Sequence, residues 1–241
     1  MAEPLLTIVV PAYNEAGRIE ESLGEIRRYI ESKNFPVELV VVDDGSTDQT
    51  VDIVSQFPEI RLLSNGRNRG KGFTVRHGAL EARGKYTLFT DADLSAPIGE
   101  ADELLKALES TSADAAISSR ALRRELIGVH QPWRRELAGR CFNLLVRLFT
   151  GLRLHDTQCG FKLFRGETTR RAFELQCVER FGFDPELLFL VERLGGGKVV
   201  EVPVRWNDSP GTKVRFLRDS VGMFWDLVAL RWRALRGHYR P

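Results

Sequence analysis

LFTDADLSAP, residues 88–97, is the stretch on which the reading of the chain turns. Tyr86 to Thr90 is rich in β-favouring residues and reads as a buried strand. It runs straight into Asp91 and Asp93, separated by the small Ala92. Along an extended chain, residues two apart point the same way. Two adjacent carboxylates repel unless a cation neutralises them. Hard oxygen donors suit Mg2+ or Mn2+, which bind through one or two carboxylates plus substrate phosphates. An Asp-x-Asp after a strand is also an ordinary solvated turn. What surrounds the pair therefore decides between the two.

Upstream, strands alternate with helices. LLTIVV (5–10) and VELVVV (37–42) are continuous apolar runs, as expected of strands buried on both faces. IRLLS (60–64) and AAIS (115–118) are shorter strands. The first helix is expected from an Asn14 cap to about Lys33, with Ile19, Leu23, Ile26 and Ile30 on one face. Gly45 turns DDGSTD (43–48), and Ser46 or Thr47 is expected to cap the next helix. The loop NGRNRGKG (65–72) precedes a third helix, and a fourth is expected near Glu100–Glu109. The pattern predicts an α/β fold with a doubly wound, mostly parallel sheet. Such sheets bind ligands beyond the carboxyl ends of their strands. Tyr13–Glu15, Asp43–Asp44, Asn68–Lys71 and Asp91–Asp93 all fall at those ends.

These groups suit a nucleotide sugar. Tyr13 offers a flat face for a base, Glu15 reaches for ribose hydroxyls, and Asp44 can accept from a base N–H. Lys71 stands at a helix start, where anions are stabilised. Asp91 and Asp93 would hold a metal bridging the diphosphate, a Lewis acid for the leaving group. A Walker A loop and a GxGxxG after the first strand are both missing, which argues against P-loop and Rossmann dehydrogenase chemistry.

The 241-residue chain has a net charge of +2, too small to argue for nucleic acid. The charge is unevenly placed: residues 119–153 carry eight Arg against two Glu, and 205–241 carry eight Lys or Arg against three Asp. Cys141, Cys159 and Cys177 lack metal-type spacing and read as reduced thiols of a cytosolic protein. His77, His130, His155 and His238 lack paired ligand spacing and read as structural or exposed. No signal peptide is expected, and no apolar run reaches the ~18 residues of a membrane span.

VVPAYNE (9–15), VVDDGSTD (41–48), NRGKG (68–72) and DADL (91–94) resemble the family 2 glycosyltransferases with the GT-A fold. DTQCGFKLF (156–164) and FDPELL (183–188) are similar to the dolichyl-phosphate glucose synthase branch. The resemblance implies an inverting, metal-dependent transfer of glucose from UDP-glucose to a polyprenyl phosphate, giving a β-linked product. It implies that Pro11, Tyr13, Glu15, Val42 and Asp44 hold the nucleoside. Asp91, Ala92 and Lys71 would line the diphosphate site, and Asp91 and Asp93 would take Mg2+ or Mn2+. Arg120 and Arg135 match phosphate-gripping arginines, and Lys213 matches the lysine of a loop closing over the donor. Ser95 stands where the mannose synthases have a Gln metal ligand and Gly139 where they have a Ser for the acceptor phosphate, so those contacts are not expected here; Asn207 stands where they have an Arg, which turns the reading away from GDP-mannose.

A lipid phosphate is ionised near neutral pH and needs placement rather than a general base, whereas a sugar hydroxyl needs one. Planar guanidinium groups suit the placement. Asp156 and Gln158 are candidates to orient sugar hydroxyls or an arginine; Asp184 and Glu186 do the same or cap the helix 186–194. The alternatives are a mannosyltransferase using GDP-mannose, a transferase to a glycan with Asp156 or Asp184 as base, and a binding module without turnover. The division expected is a catalytic domain over 1–204, then a mobile loop and amphipathic helix over 205–241. RELAGRCFNLLVRLFTGL (135–152), with Phe142, Leu145, Val146 and Phe149 on one face, and FLRDSVGMFWDLVALRWRALRGHYR (216–240) are amphipathic. Such helices either pack on the core or lie in a membrane interface. The expected location is the cytoplasm, with peripheral contact to the cytoplasmic face of a membrane as the second of those outcomes.

Overall fold

The computed structural model describes residues 3–129, 133–193, 196–208 and 216–239. Seven strands form the main sheet: β1 (Leu6–Ala12), β2 (Val37–Asp43), β3 (Arg61–Ser64), β4 (Tyr86–Thr90), β5 (Ala115–Ser119), β7 (Phe161–Arg165) and β8 (Val199–Pro203). A second, two-stranded sheet pairs β6 (Ile127–Val129) with β9 (Trp206–Asn207). The order of the large sheet is β3-β2-β1-β4-β7-β5-β8. All its strands are parallel except β7, which runs antiparallel between β4 and β5. The predicted mostly parallel α/β sheet is therefore the observed one. The apolar runs Ile8–Val10 and Val40–Val42 are fully buried, because helices cover both faces.

The helices are α1 (Ile19–Glu31), α2 (Thr50–Val54), α3 (Lys71–Glu81), α4 (Ala101–Ser110), α5 (Trp133–Thr150), α6 (Gly166–Leu175), α7 (Phe183–Arg193) and α8 (Phe216–Leu235). Two apolar clusters lie on opposite faces of the sheet. One gathers Ile8, Val10, Leu23, Ile26, Leu88 and Leu104. The other gathers Val9, Val42, Phe89, Phe164, Phe183, Leu187 and Leu227. Alternation along each strand sends neighbours to opposite clusters.

Two expected caps are absent. Asn14 does not cap α1; it sits in left-handed backbone at φ 53°, and its Oδ1 accepts the Thr47 N–H at 2.7 Å. It stitches the β1 and β2 loops together, and α1 begins five residues later. Ser46 and Thr47 do not cap α2 either. Ser46 Oγ accepts the Asn14 N–H, while Asp48 Oδ1 accepts the Thr50 N–H. Asn14 and Ser46 thus bond across two loops here instead of locally. Gly45 has φ 75°, and a Cβ there would stand 2.6 Å from the backbone of Arg67. The turn therefore needs glycine both for its conformation and for the approach of the 65–70 loop.

The antiparallel β7 matters most for the site. It pairs Thr90 with Phe161 and Ile117 with Lys162. The segment leading into β7, residues 156–160, therefore arrives at the carboxyl ends of β4 and β5.

Candidate active site

The carboxyl ends of β1, β2, β4 and β5 bring most of the sequence candidates together. Asp44 follows β2 and is 4 % exposed. Its carboxylate accepts from Asn65 Nδ2, the Arg69 N–H and the Gly70 N–H, each at 2.8 Å. A carboxylate offers about four acceptor positions, so three are spent holding the NRGKG loop. Asp44, expected to help hold a nucleoside, thus also fixes the loop that leads into Lys71.

Lys71 opens α3, and its Nζ lies 2.5 Å from Asp91 Oδ1. Burial would lower its pKa, but Asp91, then Asp184 and Asp93, reverse this and hold the ammonium above its ordinary value. Asp93 Oδ1 accepts the Ser95 N–H, and Asp93 Oδ2 is 3.9 Å from Arg18. Arg18 also pairs with Glu15 at 3.0 Å, so Glu15 and Asp93 share one guanidinium. Leu94, inside DADL, has φ 45°. A non-glycine residue in that region is strained, and such strain gathers at ligand sites.

Tyr13 and Pro11 are half-buried at the rim of β1. Val42 is fully buried in the core and Ala92 is 4 % exposed, so their main chain is the part best placed to meet a ligand. The Ala92 carbonyl already accepts from Ser22 Oγ at 2.6 Å.

Arg120 follows β5 and is gripped by Asp156. Asp156 accepts from Arg120 Nε at 2.7 Å, Nη2 at 2.9 Å and the main-chain N–H at 3.0 Å. Burial alone would push the Asp156 carboxyl up; Arg120 more than offsets this and leaves it below the usual range. The guanidinium also stands 5.2 Å from the Trp206 ring centroid. Of the two roles expected for Asp156, orienting an arginine is the observed one. Glu201 braces this segment by accepting the Asp156 and His155 N–H groups.

Asp184 and Glu186 lie within α7 and do not cap it. Asp184 pairs with Lys162, which is wholly buried, at 2.5 Å. Lys162 also donates to the Cys159 carbonyl and stands 5.1 Å from the Phe89 ring centroid. Burial pushes the Asp184 carboxyl up, and Lys162 and Lys71 only partly pull it back. Glu186 accepts the Cys177 and Val178 N–H groups and the Tyr239 hydroxyl, which ties the segment after α8 to the core. Lys162, Arg18, Glu201 and Trp206 were not singled out from sequence. A lysine within an otherwise apolar strand, GFKLF, was the one available signal. Arg135 lies in α5 with its side chain outside the described residues, and Lys213 lies outside them altogether.

Among the described residues no group of three or more His, Cys, Asp or Glu could hold a metal. Asp91 and Asp93 supply two hard oxygen donors, and Mg2+ or Mn2+ commonly completes its shell from phosphates and water. The donor chemistry thus fits a divalent cation bound together with a diphosphate.

The family model described as Glycosyl transferase family 2 matches residues 7–173. The chain belongs to that family. A dolichyl-phosphate beta-glucosyltransferase of Trichomonas vaginalis is 38 % identical over 95 % of this chain and 71 % of its own length. Those of Drosophila melanogaster and Saccharomyces cerevisiae are 38 % and 34 % identical, over 98 % and 99 % of this chain and 77 % of each relative. Among solved structures, glucosyl-3-phosphoglycerate synthase of Mycobacterium tuberculosis, in complex with Mn2+, UDP and glucosyl-3-phosphoglycerate, superposes with a TM-score of 0.67. It is 21 % identical and covers 94 % of this chain and 78 % of that one. This family 2 glycosyltransferase thus has the GT-A fold.

Proposed function

We propose that this family 2 enzyme moves glucose from UDP-glucose to a polyprenyl phosphate of the dolichyl class, inverting the anomeric carbon to give a β-linked lipid-phosphate sugar. The relatives named above support the sugar and the acceptor class. The observation that carries the reading lies in the site itself. Asp156 and Asp184, the two carboxylates considered as bases, are both buried and ion-paired. An acceptor that must lose a proton would find both already engaged, Asp156 by Arg120 and Asp184 by Lys162. A lipid phosphate arrives already ionised.

A divalent cation held by Asp91 and Asp93 would neutralise charge developing on the departing diphosphate. Lys71 adds a positive charge beside the same carboxylate, on a loop fixed by Asp44. Arg120, pre-set by Asp156, offers its remaining N–H groups to a phosphate. With its geometry already fixed, little reorganisation remains when the anions meet. Arg135 and Lys213 are proposed to grip the acceptor phosphate and the donor.

The lipid is proposed to arrive from a membrane surface over the segment 205–241 and α5. The face of α5 that carries Phe142, Leu145, Val146 and Phe149 packs on the core. Its opposite side exposes Leu137, Leu144 and Leu148, and the neighbouring α8 exposes Val221, Trp225, Trp232 and Leu235. Arg140 and Arg147 on α5, Arg231 on α8 and Arg236 just beyond its end are exposed. Aromatic and aliphatic side chains edged by arginine suit an interface with anionic head groups. Among the described residues no helix is long and apolar enough to cross a membrane. Thermal shift with UDP or GDP, each with and without Mn2+, tests the donor half. The expected result is a rise with UDP that grows when Mn2+ is added; a rise with GDP alone would turn the reading to mannose chemistry.

A further inference from the structure

Gly160 is where the segment 156–164 meets the carboxylate pair. Thr90 pairs with Phe161, so the register, continued by one residue, sets Asp91 opposite Gly160. A Cβ built on Gly160 would stand 2.6 Å from Asp91 Cγ and 3.0 Å from Oδ1, and it would overlap Oδ2 outright. These are the three heavy atoms nearest to it, and all belong to one carboxylate. Gly160 is not in left-handed backbone, so no turn demands a glycine here. The space left by its missing side chain is filled by Asp91. From another direction Lys71 Nζ bonds the same carboxylate.

We propose that Gly160 is a positioning residue: its bare backbone seats the Asp91 carboxylate in the orientation that faces Lys71 and, with Asp93, a cation and diphosphate. The proposal deepens the reading of Asp91 as a ligand and rests on it. It also gives the QCG of DTQCGFKLF a physical task. Alanine at this position meets no positive-φ penalty, and the obstacle it meets is the Asp91 carboxylate. The carboxylate must turn away from where it now lies.

The test is Gly160→Ala, read in two ways. Mn2+ binding to the UDP-saturated protein, followed by electron paramagnetic resonance, is expected to weaken roughly 10–100-fold, as when a ligand loses the group that orients it. Thermal midpoints in EDTA form a double-mutant cycle with Asp91→Ala. Gly160→Ala is expected to lower the midpoint beside Asp91 and to leave it unchanged in the Asp91→Ala background, where the obstructing carboxylate is gone. Gly99→Ala, at a glycine where an added Cβ would meet nothing within 4 Å, is the control that should move neither readout. Unaltered Mn2+ affinity in a folded Gly160→Ala protein would overturn the proposal, and so would an equal fall in midpoint in both backgrounds. Should Gly160→Ala alone fail to fold, a folded double variant supports the proposal and an unfolded one overturns it. Wild-type protein that takes up no Mn2+ with UDP would defeat the metal reading, while the cycle in EDTA still decides the positioning.

Discussion

Replacing Asp156 by Asn tests whether the Arg120–Asp156 pair is an orienting device or half of an acid–base step. Asp156 receives three hydrogen bonds from Arg120, and its side chain is 9 % exposed against 25 % for Arg120. Breaking a buried pair by removing one partner costs about 3–5 kcal/mol. Arg120 retains some access to water and can relax toward it, which places this pair near the lower end, at about 3 kcal/mol. For a domain of this size 1 kcal/mol moves the thermal midpoint by about 2–4 °C, so a fall of roughly 6–12 °C is expected. A guanidinium displaced by about 1 Å loses on the order of 100-fold in rate. The assay is transfer from UDP-glucose across pH, with Asp156→Asn, Arg120→Ala and the two combined. Under the orienting account the double variant is no slower than Arg120→Ala, and the pH profile keeps its shape. A stable Asp156→Asn protein that loses the acidic limb of its pH profile, with Arg120→Ala still active, would refute the reasoning.

Lys162→Met leaves Asp184 buried without its cation and should cost about 3–5 kcal/mol in urea unfolding, most of it recovered when Asp184→Leu is added; an unchanged midpoint would contradict the buried pair. Asp44→Ala frees the Arg69 and Gly70 N–H groups, and UDP affinity by calorimetry should fall roughly tenfold or more as the Lys71 loop loosens; unchanged affinity would return that loop to a passive role. The folded pKa of Asp156 lies below its unfolded value of about 3.9. Its contribution to stability is therefore full above that pH and fades as pH falls through the folded value. Asp156→Asn should accordingly flatten the acid end of the stability–pH curve, and a parallel curve would refute the linkage. Trp225→Ala with Trp232→Ala should reduce flotation with anionic vesicles without altering UDP binding; full flotation would remove α8 from the lipid surface.

Much of the fold was legible because buried parallel strands write themselves as unbroken apolar runs, as at 5–10 and 37–42. The position of β7 was not legible, since FKLF carries no mark of its direction or of its place between β4 and β5. Without that position the contact between Gly160 and Asp91 is invisible in the sequence. The candidate polar residues were found because they cluster at strand ends. Their partners were not, because Asp156 with Arg120 and Asp184 with Lys162 are joined across 36 and 22 residues. Asn14 and Ser46 looked like helix caps because their chemistry is that of caps, but a loop from another strand offered them the same bonds. The amphipathic helices were read correctly as apolar, yet the face of α5 that seemed distinctive is the one the core takes.

The central claim is that an ionised lipid head, and not a hydroxyl activated by a base, receives the sugar. Radiolabelled UDP-glucose incubated with the enzyme and Mg2+, with and without a polyprenyl phosphate, tests it directly. The account predicts label in the organic phase only when the lipid is present, as a product labile to mild acid. Label passing to a soluble acceptor with no lipid added, or no lipid-linked label at all, would contradict it.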